Sequence, residues 1–312
     1  KQLLVNKVAK VIIFSRDEIK HFLLKKRLND SRIDTIVGDV RDYRSLEVPF
    51  LKNKIDIVFH AAAMKHVVVA EEAPLECVKT NILGTYNVVD LAKKHNVQKM
   101  ITISTDKSAC PVNTMGATKF IAENITLNAN YSCVRFGNVA NSRGSVIPVL
   151  IDNILTGKPL TITDPNITRF MISIPDAVRL VLTAAKYSQG GDIFILKMRA
   201  FRLGDLLDVI LERIVPKLDT SEDLKINVVG ALLGEKEHED LINSTESGRI
   251  FDLEDMYLVL RNPANAVRYS NAMKTNLERY SSGDVEMLNK DELEEIVIEK
   301  MKSKNVKQAQ SR

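Results

Sequence analysis

A doubly wound α/β fold is what this sequence predicts: a parallel, Rossmann-like sheet with a smaller mixed α/β substrate domain. Three observations predict it. Short apolar runs without polar alternation recur through the first half, as strands covered on both faces require. Stretches of helical length separate them. Residues able to carry chemistry gather just past those runs, at the carboxyl edge where sites of open parallel sheets lie.

The elements follow in order. Lys10–Ser15 (KVIIFS) reads as a strand and Glu18–Asn29 as a helix of mixed charge. Asp34–Val37 is a short strand running into Gly38-Asp39-Val40-Arg41-Asp42. Ile55–His60 (IDIVFH) is a buried strand, and Pro74–His95 a long helix interrupted only at Gly84. Lys99–Ser104 is the next strand, Met115–Asn128 a helix and Tyr131–Gly137 a further strand. The link 128–130 is short for a helix-to-strand return, which suggests residues missing there. In the second half Val146–Leu155, Pro175–Tyr187 and Leu203–Ile214 read as helices. Pro159–Ile162 and 192–195 read as strands, the pattern beyond Gly230 is mixed, and the end is a charged helix with a polar tail. The expected division is a cofactor-binding domain over 1–145 and a substrate domain over 146–312, with some chain crossing back. No glycine precedes Gly38. A dinucleotide fold needs a first strand and a glycine-rich turn that lets backbone approach a pyrophosphate. The chain is therefore expected to begin after that turn, with Lys1–Ala9 as the rear of the helix that follows it; the alternative is that no dinucleotide binds.

Composition narrows the function. The 312 residues are 45% hydrophobic and 27% charged, which excludes a disordered tail and a disulfide-stapled miniature. Lys and Arg number 44 against 40 Asp and Glu, too even a balance to suggest a nucleic-acid partner. Cys77, Cys110 and Cys133 lie far apart, which favours a reducing compartment and argues against a structural zinc site. No apolar run reaches the roughly 18 residues of a membrane helix. A cytoplasmic protein without membrane insertion is expected.

Candidate site residues cluster behind the strands. Ser15-Arg16-Asp17-Glu18 stands where a doubly wound fold meets an adenosine ribose. A Ser-Arg pair suits the 2′-phosphate of NADP, with NAD as the alternative, while Asp17 also reads as a helix cap. Asp39-Val40 would meet the adenine. Ala61, Ala62 and Ala63 are small enough to let a flat or phosphorylated ligand lie close, followed by Lys65, His66, Thr80 and Asn81. Ser104-Thr105-Asp106-Lys107 lies past a strand tip, and Met115 and Lys119 are four apart on one helical face. Short-chain dehydrogenases carry Tyr and Lys on such a face, the Lys lowering the phenol's pKa for proton removal.

These stretches occur in one order with HAAAMKHV at His60–Val67, KTNILGT at Lys79–Thr85, MGATK at Met115–Lys119 and RFGNV at Arg135–Val139. SRGSVIP at Ser142–Pro148, TRF at Thr168–Phe170, Gly234-Glu235-Lys236 and His238-Glu239 complete the set. Together they resemble the UDP-N-acetylglucosamine 4,6-dehydratases of polysaccharide biosynthesis, which are extended short-chain dehydrogenases, over roughly residues 10–300. The resemblance implies a redox-neutral reaction. Sugar C4 is oxidised, water is lost across C5 and C6, and the hydride returns to C6. It assigns Lys107 as the base at C5 and Asp106 as the acid for the departing hydroxyl, with Lys119 at the nicotinamide ribose. A lowered Lys107 pKa and a raised Asp106 pKa would suit those roles. Asn138, Val146, Lys65, Thr163 and Glu235 match positions that hold the sugar nucleotide, and Arg169 suits a diphosphate on chemical grounds. The resemblance also implies a homo-oligomer. Two departures stand out. Met115 occupies the Tyr position, leaving Asp106, a Thr105 relay or water to take the C4 hydroxyl proton. Leu232 occupies that of an Arg that meets the nucleotide. The membrane-anchored, longer branch of the family shares MGATK and is active. The rival readings are a UDP-sugar epimerase of the same superfamily and a catalytically silent nucleotide-binding homologue.

Overall fold

The computed structural model describes residues 1–309 apart from 7, 143 and 219–223. Arg143, within the Ser142–Pro148 motif, therefore lies outside the described residues. The expected fold class is the observed one. Strands β1 (Val11–Ser15) and β2 (Ile33–Val37) pair in parallel. β3 (Ile57–His60), β4 (Lys99–Ile103) and β5 (Ser132–Arg135) form a second parallel run. The chain continues through β6 (Asn138–Val139), β7 (Leu160–Ile162), β8 (Thr168–Ile172), β9 (Asp192–Leu196), β10 (Ala200–Arg202) and β11 (Ile226–Val228). It then forms β12 (Asp240–Ile242), β13 (Ile250–Leu253), β14 (Met256–Leu260), β15 (Met273–Lys274) and β16 (Tyr280–Ser281). The main sheet has the order β15-β13-β14-β9-β5-β4-β3, parallel from β3 to β9 and antiparallel beyond. β10, β8 and β6 make a separate small sheet in that order, β10 antiparallel and β6 parallel to β8.

Burial explains the pattern. β5 and β9 are buried at every residue, so both must be apolar or internally paired throughout. One core joins β4, β5, β9, β13 and β14 to the Ile174–Tyr187 helix through Phe170, Leu180, Phe194 and Leu258. A second core, with Ile147, Leu150, Phe201 and Leu206, lies under the Val146–Leu155 and Leu203–Val209 helices and receives Leu293 and Val297 from the C-terminal helix. None of the described helices is long and apolar enough to cross a membrane.

Several elements differ from expectation. The long helix over Pro74–His95 is broken differently: Pro74–Cys77 is α-helical, Val78–Leu83 a π turn, and Gly84–Lys94 α-helical again. Gly84 does not interrupt it. A Cβ there would press on the Val40 side chain, so the glycine serves the helix's close approach to the loop after β2. The wider π turn swings Thr80 and Asn81 inward, both buried. A helix not assigned from the sequence, Tyr43–Lys52, forms despite Pro49 inside it; Asp42 starts it by accepting from the Arg44 and Ser45 amides. Asp17 caps the Glu18–Leu28 helix as expected, accepting from the Lys20 amide. The short link 129–131 closes without further residues because Asn130 adopts φ 61°, and Gly190 packs on its carbonyl. The Leu203–Ile214 helix passes into a π turn from Ile210. The β13–β14 hairpin turns at Glu254, φ 59°, with no glycine to announce it.

Candidate active site

β4 delivers its carboxyl end at Ile103, and the chain there tightens into a 3₁₀ turn, Asp106–Ser108. The Thr114–Asn128 helix opens beside this turn, with Asn113 accepting from the Gly116 amide at 2.8 Å. Asn113 also donates to the Gly234 carbonyl at 2.8 Å, tying the 232–239 loop to the same helix. Gly116 packs so closely that a Cβ would run into the Lys107 carbonyl. Glycine in MGATK is thus a consequence of where Lys107 must lie. Gly116→Ala should displace that backbone and lower turnover about tenfold or more while KM changes little, as steady-state kinetics would reveal.

Lys107 Nζ lies 3.2 Å from Asp106 Oδ1 and 3.1 Å from Glu239 Oε1. The Thr105 hydroxyl donates to the same Asp106 oxygen at 2.6 Å. Arg169 Nη2 reaches Glu235 at 3.0 Å, and its Nε lies 4.0 Å from Glu239. Lys119 Nζ donates to the Ile103 carbonyl at 2.5 Å. Two carboxylate oxygens, Asp106 Oδ2 and Glu239 Oε2, are buried with no partner among the described residues.

The electrostatics correct one expectation. Burial pushes the Lys107 ammonium down, but Asp106 and Glu239 outweigh it and hold the pKa above the ordinary lysine value, not below it. Burial pushes Glu239 up, against the pull of Lys107. Burial lowers Lys119, with Glu123 opposing. His60, buried against Thr85, is pushed down to about 3 by desolvation and by Lys119, so its ring is neutral.

Two cavities receive most of the sequence candidates. The first, about 480 Å³, is lined by Ser104, Thr105, Lys107, Met115, Lys119, Lys65, Asn138, Val146, Arg169 and Glu235, and also by Glu239 and Leu232. The second, about 720 Å³, lies at the tips of β1, β2 and β3 against Ser15, Arg16, Asp17, Asp39, Val40 and Ala62. Ala61 and Ala63 line both. Three candidates stand apart. Asp106 is fully buried behind Thr105 and Lys107 and does not line either cavity. Asn81 instead pins the segment after β3, bonding the Met64 amide and carbonyl at 2.7 and 3.0 Å. Thr163 accepts from the Gly230 amide through its carbonyl, outside both cavities. Met115 is buried among Met64, Val67, Ala70 and Cys77, with no titratable atom to offer.

Sequence reasoning assigned no role to Glu239, and it missed the support beneath the turn. Glu123 takes a bidentate contact from Arg135 at 2.7 and 2.8 Å, and Ser108 donates to it at 2.6 Å. Arg135 also reaches Glu246 at 2.8 Å and the Leu241 carbonyl at 3.0 Å. The one legible signal was Glu123 four residues past Lys119, on the same helical face.

The sequence pattern of the polysaccharide biosynthesis protein family matches residues 1–261. The chain belongs to the polysaccharide biosynthesis protein family. Within that family it is 40% identical over 270 residues to the UDP-N-acetylglucosamine 4,6-dehydratase (inverting) of Campylobacter jejuni, covering 83% of this chain and 77% of the relative. It is 36% identical over 309 residues to the UDP-glucose 4-epimerase of Rickettsia canadensis, covering 95% and 88%. The X-ray structure of Pen from Bacillus thuringiensis superposes with a TM-score of 0.87 at 36% identity, covering 96% of this chain and 92% of that one.

Proposed function

We propose that the protein is a nicotinamide-dependent sugar-nucleotide dehydratase that converts UDP-N-acetylglucosamine to a UDP-4-keto-6-deoxy sugar. The observation that carries this reading is the Asp106–Lys107–Glu239 cluster at the first cavity, beside Lys119. An epimerase returns a hydride to the carbon it left and has no C–O bond to break. A dehydratase must remove a carbon-bound proton and protonate a leaving hydroxyl, which needs a base and an acid within reach of adjacent carbons. The 40% identical dehydratase supports the same reading.

The residues fit a dinucleotide. Ala61 and Ala63 join the two cavities, so one extended ligand can run from the tips of β1 and β2 to Lys119. Arg16 has an exposed side chain at the far end, in a long 3.7 Å ion pair with Asp39 that a 2′-phosphate could replace. This favours NADP, with NAD as the alternative. The nicotinamide, when bound, supplies the hydride acceptor and donor.

The chain's own groups manage the protons. Thr105 faces the cavity and hands the C4 hydroxyl proton to Asp106, across the 2.6 Å hydrogen bond already formed. Asp106, which lies behind Thr105, returns a proton through the Thr105 hydroxyl to the C6 hydroxyl as it leaves as water. The proton released at C4 thus balances the one consumed at C6, and no phenol is needed at Met115. Lys107 removes the C5 proton. Arg169 and Lys65 face the diphosphate, and Asn138, Val146 and Glu235 line the sugar-nucleotide end. We assign cofactor binding mainly to 1–145 and substrate binding mainly to 146–312, with β9 and β13–β15 crossing back into the main sheet, in a self-associating enzyme of the cytoplasm.

The test is the product. Purified protein given UDP-N-acetylglucosamine and NADP, or NAD in parallel, is expected to yield a 4-keto-6-deoxy sugar, seen by its absorbance in strong base and by NMR. A C4 epimer alone would assign the epimerase reading instead.

A further inference from the structure

Glu239 has no role in the reaction as written above, yet it is built into the site with unusual care. Only 3% of it is exposed. Its amide donates to Ser282 Oγ at 2.9 Å and its carbonyl accepts from the Ser282 amide at 2.9 Å, so the backbone is clamped at the start of β12. One carboxylate oxygen meets Lys107 Nζ at 3.1 Å. The other is buried, unpartnered among the described residues, and belongs to a side chain that lines the substrate cavity. The charged groups facing it are Lys107 and Asp106 from the turn after β4, and Arg169 from β8 with Glu235 behind it.

This geometry meets a difficulty in the dehydratase reading, on which the inference rests. Lys107 lies between two carboxylates and is held as an ammonium, which has no lone pair and cannot remove a carbon-bound proton. Asp106 cannot relieve it, since that carboxyl is committed to Thr105 and to the proton of the leaving hydroxyl. Glu239 is the remaining acceptor in contact with Nζ.

We propose that Glu239 takes one proton from Lys107 and gives it back at the end of each turnover, so that a neutral amine meets C5. In the forward step an Nζ–H bond breaks and an Oε1–H bond forms. The freed lone pair then forms a new N–H bond as the C5–H bond breaks, its electrons passing into the C4 ketone's enolate. When C5 is reprotonated by Lys107, Glu239 returns its proton and the pair is ionic again. Substrate binding favours the first transfer, because expelling water from the cavity weakens the case for two separated charges.

The experiment follows the C5 proton without the redox steps. The 4-keto-6-deoxy product, made by wild-type enzyme, is incubated with each variant in D₂O, and loss of its C5 proton signal is timed by NMR. Glu239→Gln is expected to slow exchange about 100-fold or more at pH 7, with UDP-sugar affinity within about threefold of wild type. Its residual rate should climb with pH as Lys107 sheds its proton to solvent. Glu239→Asp keeps an acceptor farther away and should slow exchange about tenfold. A purely electrostatic role predicts the opposite sign: removing one of the two carboxylates that hold the ammonium's proton makes Lys107 easier to deprotonate, so exchange at pH 7 would match or exceed wild type. That outcome in Glu239→Gln overturns the proposal, as does an unchanged rate in Glu239→Asp should the Gln variant not fold. Wild type that forms only a C4 epimer removes the dehydratase reading itself, whereas wild type that forms the keto sugar beside an unimpaired Gln variant removes only the role of Glu239.

Discussion

Lys107→Ala is expected to abolish keto-sugar formation, with turnover falling at least about a thousandfold, while calorimetry still registers UDP-sugar binding. The ammonium is not a general surface charge. It is the only cationic group paired with both Asp106 and Glu239 among the described ion pairs; Arg169 reaches Glu239 alone, at 4.0 Å. Positioned acid–base groups typically contribute two to four orders of magnitude. Binding should survive because Lys65, Asn138, Val146 and Arg169 line the cavity independently of it. Lys107→Arg should not rescue, since a guanidinium stays protonated at any working pH. Unchanged turnover in Lys107→Ala would remove the elimination chemistry altogether and leave only hydride transfer.

Arg135→Met should cost about 3–5 kcal/mol of stability, the usual loss when one partner of a buried ion pair is removed. Arg135 is 2% exposed and serves Glu123, Glu246 and the Leu241 carbonyl at once. Its loss leaves two buried carboxylates uncompensated. The melting temperature is expected to fall by roughly 10 °C by calorimetry. The pH dependence has a definite sign. Burial pushes the Glu123 pKa up, but Arg135 and the hydroxyls of Ser104 and Ser108 pull it further down, to a net value below the ordinary 4.5. That stabilisation is present above the ordinary value and is lost as pH falls through the native one. In the Met variant burial is no longer opposed by Arg135, so its Glu123 takes up a proton at higher pH than in wild type, and the stability gap should narrow as the solution is acidified toward and below the ordinary carboxylate value. A gap independent of pH would mean the triad is not ionised in the way described. Because the Ser108 hydroxyl lies within hydrogen-bond reach of both Glu123 and the Thr105 carbonyl, the same variant should loosen the turn that carries Asp106 and Lys107.

How much of the site could be read in advance varies with the kind of contact. Lys107 and Lys119 stand beside elements whose ends the apolar runs mark, whereas Glu235 was legible only through the family resemblance and Arg169 only from its chemistry within the TRF motif; all four reach one cavity. Thr163 also lies just past a strand, β7, but that strand pairs with β11 and its carbonyl is spent on Gly230. Asn81 was a reasonable ligand-facing candidate on a helix. The π turn rotates it instead toward Met64, where it shapes the loop below. The upward pull on Lys107 comes first from Asp106, its neighbour in sequence, and then from Glu239, 132 residues away in the chain, whose share no local pattern could show.

The sequence by itself determined that the fold is a doubly wound sheet, where its parallel strands run, and that chemistry gathers past β4, because burial on both faces demands apolar strands and backbone ends of such strands open onto one edge. Only the tertiary structure decided which carboxylates face Lys107, that Asp106 lies behind Thr105, and that Arg135 ties β5 to the segment after Glu239. Those outcomes depend on side chains from distant segments sharing a volume of low dielectric, where a shift of an ångström decides whether a charge is paired, and no local pattern records such meetings.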